Sequence, residues 1–594
     1  MHFEHGDKFN TDIFANFVAD KNNFMKRLIF LLPVLLALPA AAQRFPAGDV
    51  PEQKNYVYVD TVTYSADGHR MVTQMYLPKG DGPWPVVVYR TPYFNFPAGD
   101  MFASYRRYAE NGMAFLIQRC RGTGGSEGAY EPNIYERGDG MALLEWLQDA
   151  SWCSSIALTG CSYMGLTSWI LGDVLPDKVK GMYVEHYGID RHLSAYSSGA
   201  FRQDILTAWA IDNAKEPIAK PEVVPGRKYY DEMMYMPQIS MDADRLGAEL
   251  PWYREWISHT DYTDRYWHEG FWGLLKSIPA KIDVPMTVVA GHFDHHMEGT
   301  LLGYEMLSDE VKSRSRLIVG GWDHDFKTTP KLEGIVNDKQ VKIEDDRFNW
   351  LHTLLVEGRV PEHEVKVYAI GADKWLDLEE WPSASSKALT WYAGSEESGL
   401  ALKPSKKKGE WSYEYDPSDP VISVGGETLF SSNSRKGSIL QEPAGYRDDI
   451  LFFRSEPLDE PLMISGPLTA KVWFSSDCED TAVTVKVSEE RADGKTYNIR
   501  TGIATLAFRD DKLGSRQTYT PGEIVEVTVE MLPIVWELQP GSRIRVDISS
   551  SDFPQYSIHS NHPGVWSEQT KVRTAHQTVW TGRKYPTRIM IPVL

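Results

Sequence analysis

The arrangement of short apolar runs along this chain constrains its fold more than any other sequence feature. Residues 85–89 read PVVVY, 114–118 read AFLIQ and 155–159 read SIALT. Near-continuous runs of this length and β-branched content are what a strand needs when both faces of its sheet are covered. Between the last two, residues 139–148 (DGMALLEWLQ) carry apolar side chains at helical spacing, and residues 166–171 continue in a helix-like pattern. Strand alternating with helix predicts a parallel sheet in an α/β fold. The same signal returns at 286–290 (MTVVA) and 316–319 (RLIV), followed by a predicted closing helix at 347–355. From 189 to 279 apolar residues recur at helical intervals without a clean strand, which predicts a helical insertion. From about Val365 onward, short alternating runs such as 469–474, 483–487 and 544–548 are separated by Gly, Pro, Asp and Ser. That spacing predicts an all-β sandwich or jelly roll.

The N-terminal region reads differently. Residues 25–43, MKRLIFLLPVLLALPAAAQ, join a basic start to an apolar run and small residues suited to cleavage. This is the layout of a secretory signal peptide at 25–42. The run falls short of the roughly 20 residues of a spanning helix, and Pro33 and Pro39 weaken one further. The expected location is therefore outside the cytoplasm, periplasmic or secreted, with an uncleaved membrane anchor as the alternative. Acidic residues upstream of Met25 suggest that translation starts there. The remaining boundaries are expected at 45–188 and 280–360 for the two parts of the α/β domain, 189–279 for the inserted cap and 361–594 for the C-terminal β-domain. Net charge is −20, which argues against a nucleic-acid partner. Stable membrane association is not expected, and no oligomeric state follows. Cys120, Cys153, Cys161 and Cys478 contain no C-x-x-C spacing, so neither a disulfide framework nor a structural zinc site is favoured, though one or two bridges could form.

The chemistry concentrates after the SIALT strand, in Gly160-Cys161-Ser162-Tyr163-Met164-Gly165. A strand before this segment and a helix after it is the context of a nucleophile elbow, although G-x-S-x-x-G differs from the usual G-x-S-x-G. Glycines at both ends permit strand and helix to crowd together. Ser162 then lies at a helix N-terminus, where the Tyr163 N–H can face an oxyanion. Serine needs a base and a group that orients the base. In an α/β-hydrolase the acid and then the histidine follow late strands. MTVVA leads to Gly291-His292-Phe293-Asp294, and RLIV leads to Gly320-Gly321-Trp322-Asp323-His324. Asp294 is therefore the expected acid and His324 the expected base. Asp323 and Asp325 remain alternatives for the acid, as do His292, His295 and His296 for the base. The hydroxyl of Tyr93, after PVVVY, is the candidate second oxyanion donor.

These segments resemble the cocaine esterase-like and X-Pro dipeptidyl-peptidase (S15) group of α/β-hydrolases. The likeness is carried by RTPY at 90–93, RGTGGSEG at 121–128, the 143–165 stretch through the elbow, HTDYTDRYW at 259–267, GHFD at 291–294, GGWDH at 320–324 and GPLTAKVWFSS at 466–476. The resemblance implies an α/β-hydrolase fold with an inserted helical cap and a C-terminal β-sandwich (jelly roll). It also implies Ser162 as nucleophile, Asp294 and His324 as its partners, and Tyr93 with the Tyr163 N–H as the oxyanion hole. Three departures stand out: His292 where the group usually has Trp, Gly321 and Asp325 in place of Pro and Gly in the histidine loop, and Arg119 where Asp is common.

The expected activity is hydrolysis of acyl esters or activated amides through an acyl-enzyme, with no metal or organic cofactor required. Small esters, amides or short peptides are the expected substrates. The alternative is an X-Pro dipeptidyl-peptidase or another aminopeptidase or acylase of the same group. The α-amino-acid ester hydrolases of the group hold a substrate ammonium with carboxylates, two of them just after the catalytic Asp; here those positions are His295 and His296. Glu185 or Asp190 could supply a charge for an amine instead. Trp252, Trp256 and Trp267 are candidates for an apolar or aromatic acyl pocket. Two other classes remain in view. One is a metal hydrolase built on the histidines and acids at 292–296 and 323–325; the other is a binding protein with an inactive hydrolase domain.

Overall fold

The computed structural model describes residues 55–93, 103–224, 227–327, 341–383, 387–430 and 436–594. The expected signal peptide at 25–42 lies outside the described residues. The first sheet contains β1 (Tyr56–Tyr64), β2 (Arg70–Pro78), β3 (Trp84–Thr91), β4 (Ala114–Arg119), β5 (Cys153–Cys161) and β6 (Val179–Glu185). A short hairpin, β7 (Tyr196–Ser197) and β8 (Ala200–Phe201), pairs separately. The sheet resumes with β9 (Met286–Phe293), β10 (Arg316–Asp323), β11 (Glu364–Ala369) and β12 (Lys374–Asp377). Its order is β1-β2-β4-β3-β5-β6-β9-β10-β11-β12. The strands from β4 to β11 run parallel, with antiparallel pairs at both edges. Every residue of β4, β9 and β10 is buried, which is why those segments read as continuous apolar runs instead of alternating ones.

This is an α/β-hydrolase fold with an inserted cap and a β-sandwich. The cap includes helices at Gln203–Asn213, Pro251–Ser258 and Gly270–Ser277. It also holds the β7–β8 hairpin, whose two-residue strands are too short for alternation to reveal them. The C-terminal region forms an eleven-stranded sheet system around a core that includes Phe474, Val485, Ile534 and Trp536. Its long strands Leu462–Ser476 and Val525–Leu538 pair antiparallel, with a register shift between Pro467 and Thr469.

β11 and β12, assigned from sequence to the β-domain beginning at 361, complete the edge of the first sheet. Strands this short fit either sheet, and only the long-range pairing of β11 with β10, and of β12 with β11, decides which one they join. The two regions also share a core: Phe293, Tyr368 and Ile370 pack with the sandwich residues, and Ile370 exchanges backbone hydrogen bonds with Val535 and Glu537 at 3.1 and 2.8 Å. All four cysteines are free thiols. Among the described residues, no helix is long and apolar enough to cross a membrane.

The closing helix, Ile343–Leu355, is pinned to the sheet by charge. Arg347 Nη1 donates to both carboxylate oxygens of buried Glu185 at 2.9 and 2.8 Å. Removing one partner of such a pair leaves the other charge buried and uncompensated. Arg347→Met is expected to destabilise the fold by about 3–5 kcal/mol, read as a lower denaturant midpoint at unchanged m-value.

Candidate active site

The parallel strands end along one edge, and that edge carries the site. β5 stops at Cys161, and Ser162 turns sharply into the helix Tyr163–Trp169 with φ 58° and ψ −128°. A positive φ costs a non-glycine residue on the order of 1–3 kcal/mol unless the surroundings enforce it. Here the Ser162 N–H donates to the Glu185 carbonyl at 3.0 Å, and its own carbonyl accepts from Gly165 and Leu166 at 2.8 and 3.1 Å. Gly160 has no room for a side chain: a Cβ there would lie 2.3 Å from the Met164 carbonyl. At Gly165 a Cβ would press on the Glu185 carbonyl at 3.0 Å and on Tyr187 at 3.1 Å. The unusual spacing therefore puts Met164 beside the pocket and the second glycine against the end of β6.

The structure brings Ser162, His324 and Asp294 into one hydrogen-bonded chain. His324 Nδ1–H donates to Asp294 Oδ1 at 3.0 Å, and Ser162 Oγ–H donates to His324 Nε2 at 3.0 Å. The carboxylate fixes the tautomer, leaving Nε2 free to accept. Burial alone would raise the Asp294 carboxyl, but the imidazoles of His186 and His324 hold it well below the usual carboxylate range. His186 donates from Nδ1 to the His324 carbonyl at 3.1 Å and lies 3.5 Å from Asp294 Oδ2. The His296 N–H donates to Asp294 Oδ1 at 3.0 Å. Burial depresses the basicity of His186 to about 4 and holds His295 and His296 well below the usual imidazole range.

Tyr93 lies beyond the end of β3, with its hydroxyl in contact with Ser162 and accepting from Trp209 Nε1 at 3.3 Å. Burial pushes that hydroxyl up to about 12, against the hydrogen bonds to Trp209 and Ser162, so it stays protonated at neutral pH. Tyr163 opens its helix, where no preceding turn supplies an acceptor for its N–H. Its side chain points elsewhere: the hydroxyl donates to Glu136 at 2.8 Å and accepts from the Asn133 N–H at 2.7 Å. Glu136 in turn pairs with buried Arg90 at 2.9 Å, tying β3, the Glu136–Asp149 helix and the elbow together.

Comparisons with known proteins bear on this geometry. A sequence profile for the X-Pro dipeptidyl-peptidase (S15 family) matches residues 67–325, and one for the X-Pro dipeptidyl-peptidase C-terminal non-catalytic domain matches 358–590. The chain belongs to this family. It is a serine hydrolase. Cocaine esterase of Rhodococcus sp. (strain MB1 Bresler) is 27% identical over 570 residues, covering 89% of this chain and 97% of that protein. An α-amino acid ester hydrolase structure superposes with TM-score 0.79 at 22% identity, covering 94% of this chain and 100% of the other. An aminopeptidase from the marine sediment archaeon Thaumarchaeota archaeon superposes with TM-score 0.78 at 21% identity, covering 92% and 99%.

In this S15-family chain the residues weighed against Asp294 and His324 do other things. Asp323 accepts from the Asp325 and Lys327 backbones at 2.9 Å each, bracing the loop. Asp325 pairs with Lys436. His292 is buried and donates to the Tyr368 carbonyl at 2.9 Å. Of the residues weighed for a metal centre, only Asp294 and His324 join a cluster of three, with His186, and both are already committed to Ser162's hydrogen-bond chain. Arg119 donates to the Tyr93 carbonyl at 2.8 Å, so this departure from the family pattern supports the loop that carries Tyr93.

The tryptophans divide. Trp256 lines a small pocket beside Ser162. Trp252 stands behind it, 5.0 Å from Trp256 between ring centres, and donates to Glu216 at 3.0 Å. Trp267 packs inside the cap against His192, Tyr196 and Trp272, away from both cavities described here. Aromatic density in the cap mainly builds the cap's own core. Trp209, which no motif marked, stacks on Tyr163 at 6.1 Å and 8°. The β-domain also reaches the site: Leu429 lines both cavities, and its N–H donates to Asp204 of the cap at 2.6 Å. The larger cavity, about 1180 Å³, shares Ser162 with the small pocket and extends past His324 and Phe430.

Gly160→Ala tests the elbow. Moving the Met164 carbonyl to make room would shift Ser162 Oγ off His324. The expected outcome is loss of activity by about 100-fold or more, with folding checked separately by circular dichroism.

Proposed function

We propose that this serine hydrolase cleaves carboxylic esters, and activated amides, through an acyl-enzyme on Ser162. The observation that carries the reading is the continuous chain Asp294–His324–Ser162 at 3.0 Å per link, beside a neutral tyrosine hydroxyl. In this mechanism Ser162 Oγ attacks the carbonyl carbon while His324 Nε2 takes its proton. Tyr93 and the Tyr163 N–H donate to the developing oxyanion. The tetrahedral intermediate collapses as His324 passes the proton to the leaving group, and His324 then activates water to release the acid. Asp294 stays ionised and steadies the imidazolium. The large cavity provides an exit for the leaving group.

The peptidase alternative has less support from the charges near the site. A free α-amine needs an available carboxylate. Glu185 is bound to Arg347, while Asp190 pairs with Lys276 at 2.6 Å and caps the helix Arg191–Ala195. The proposal includes export, which rests on the leader at 25–42.

A fluorophosphonate probe should label the wild type and not Ser162→Ala; a folded, unlabelled wild type would sink the reading. Applied to cell fractions, the probe should find the labelled protein in periplasm or medium. Labelling confined to the cytoplasm would remove export from the proposal. Tyr93→Phe should lower kcat by about 10²–10³, equivalent to roughly 3–4 kcal/mol, with little change in KM. An unchanged kcat would exclude Tyr93 as an oxyanion donor.

A further inference from the structure

The pocket between Ser162 and the cap contains a cation without an anion. Its lining includes Tyr187, Arg191, Trp256, His295 and His296, and among the described residues no Asp or Glu lines it. Arg191 is only 7% exposed. Its guanidinium lies over the Trp256 ring at 4.5 Å and is 5.7 Å from the Trp272 ring centre. The buried Nε has no hydrogen-bond partner. The neighbouring carboxylate, Asp190, is turned away and held by Lys276, Tyr262 and two backbone N–H groups. The Tyr187 hydroxyl lies beside the guanidinium, but a phenol does not neutralise a charge.

A buried, unpaired guanidinium is costly, and stacking on indole offsets only part of that cost. Its planar donors match a carboxylate or phosphate bound through two parallel hydrogen bonds, and the small pocket favours the more compact carboxylate. The pocket also limits what enters. It is small, about 30 Å³ against about 1180 Å³ for the larger cavity, which favours a short chain over a bulky one.

We propose that Arg191 is a carboxylate-binding residue, and that the preferred substrates are esters whose short acyl chain ends in a carboxylate. This rests on the proposed acyl transfer at Ser162 and narrows it, replacing the apolar or aromatic acyl group expected from the cap tryptophans. Ser162 and Arg191 line the same pocket, so a carbonyl at the serine and a carboxylate at the guanidinium would belong to one short chain. His295 and His296, held neutral by burial, would add no competing charge.

The test compares monoethyl succinate, monoethyl glutarate, ethyl pentanoate and ethyl 4-aminobutyrate as substrates of the full chain. The wild type should turn over at least one of the two anionic esters with kcat/KM about tenfold or more above both ethyl pentanoate and ethyl 4-aminobutyrate. Arg191→Met should erase that preference through KM and leave ethyl pentanoate within about threefold, while Arg191→Lys should keep part of it. Equal or greater turnover of ethyl pentanoate by the wild type would overturn the proposal. So would an Arg191→Met variant that keeps the preference or slows every ester equally.

A second measurement needs no variant. Glutarate should slow fluorophosphonate labelling of the wild type, whereas pentanamide at the same concentration should not. Normal labelling without glutarate protection overturns the Arg191 site and leaves the serine mechanism standing. Absence of labelling overturns both.

Discussion

The turn at Ser162 is the constraint on which the rest of the site depends. A serine at φ 58° would relax if its neighbours allowed it. It is held because β5, β6 and the following helix meet at one point, where the Glu185 carbonyl takes the serine N–H and Gly160 admits the helix backbone. Glu185 is in turn anchored by Arg347 on the closing helix. Strain at the nucleophile is thus distributed into an ion pair, two glycine contacts and a buried sheet, each stable without any bound substrate.

From that point the site is built by segments of different origin. Asp294 and His324 follow β9 and β10, Tyr93 follows β3, Trp209 and Arg191 come from the cap, and Leu429 comes from the β-domain. A parallel sheet makes this convergence possible because all its strands present their C-terminal ends on the same edge. The two spaces beside Ser162 are unequal. One is a broad cavity and the other a small pocket with a buried cation, an asymmetry suited to releasing one product freely while holding the other.

Much of this was legible along the chain. Continuous apolar runs marked the buried strands because a parallel sheet has no solvent-facing side. The strand–Gly–acid and strand–Gly–histidine segments marked Asp294 and His324 because chain order and strand ends are local properties. What the sequence left open shares a physical cause. β11 and β12 are too short for their sequence to say which sheet they join. Glu185 and Asp190 look like available charges until Arg347 and Lys276 meet them from 162 and 86 residues away. Trp267 is chemically the same as Trp256, and only packing places one in the cap core and the other on the pocket wall.

The sequence by itself therefore determined the α/β fold class through the periodicity of short segments, marked the Ser162 turn and the two late-strand loops that carry Asp294 and His324, and resembled the S15 group through its motifs. Tertiary structure decided which charges are already paired, which aromatic rings face Ser162, how small the pocket beneath the cap is, and that Arg191 stands in it without a carboxylate among the described residues. Those properties depend on contacts between residues far apart in the chain, and pairing and burial of that kind leave no local periodic trace.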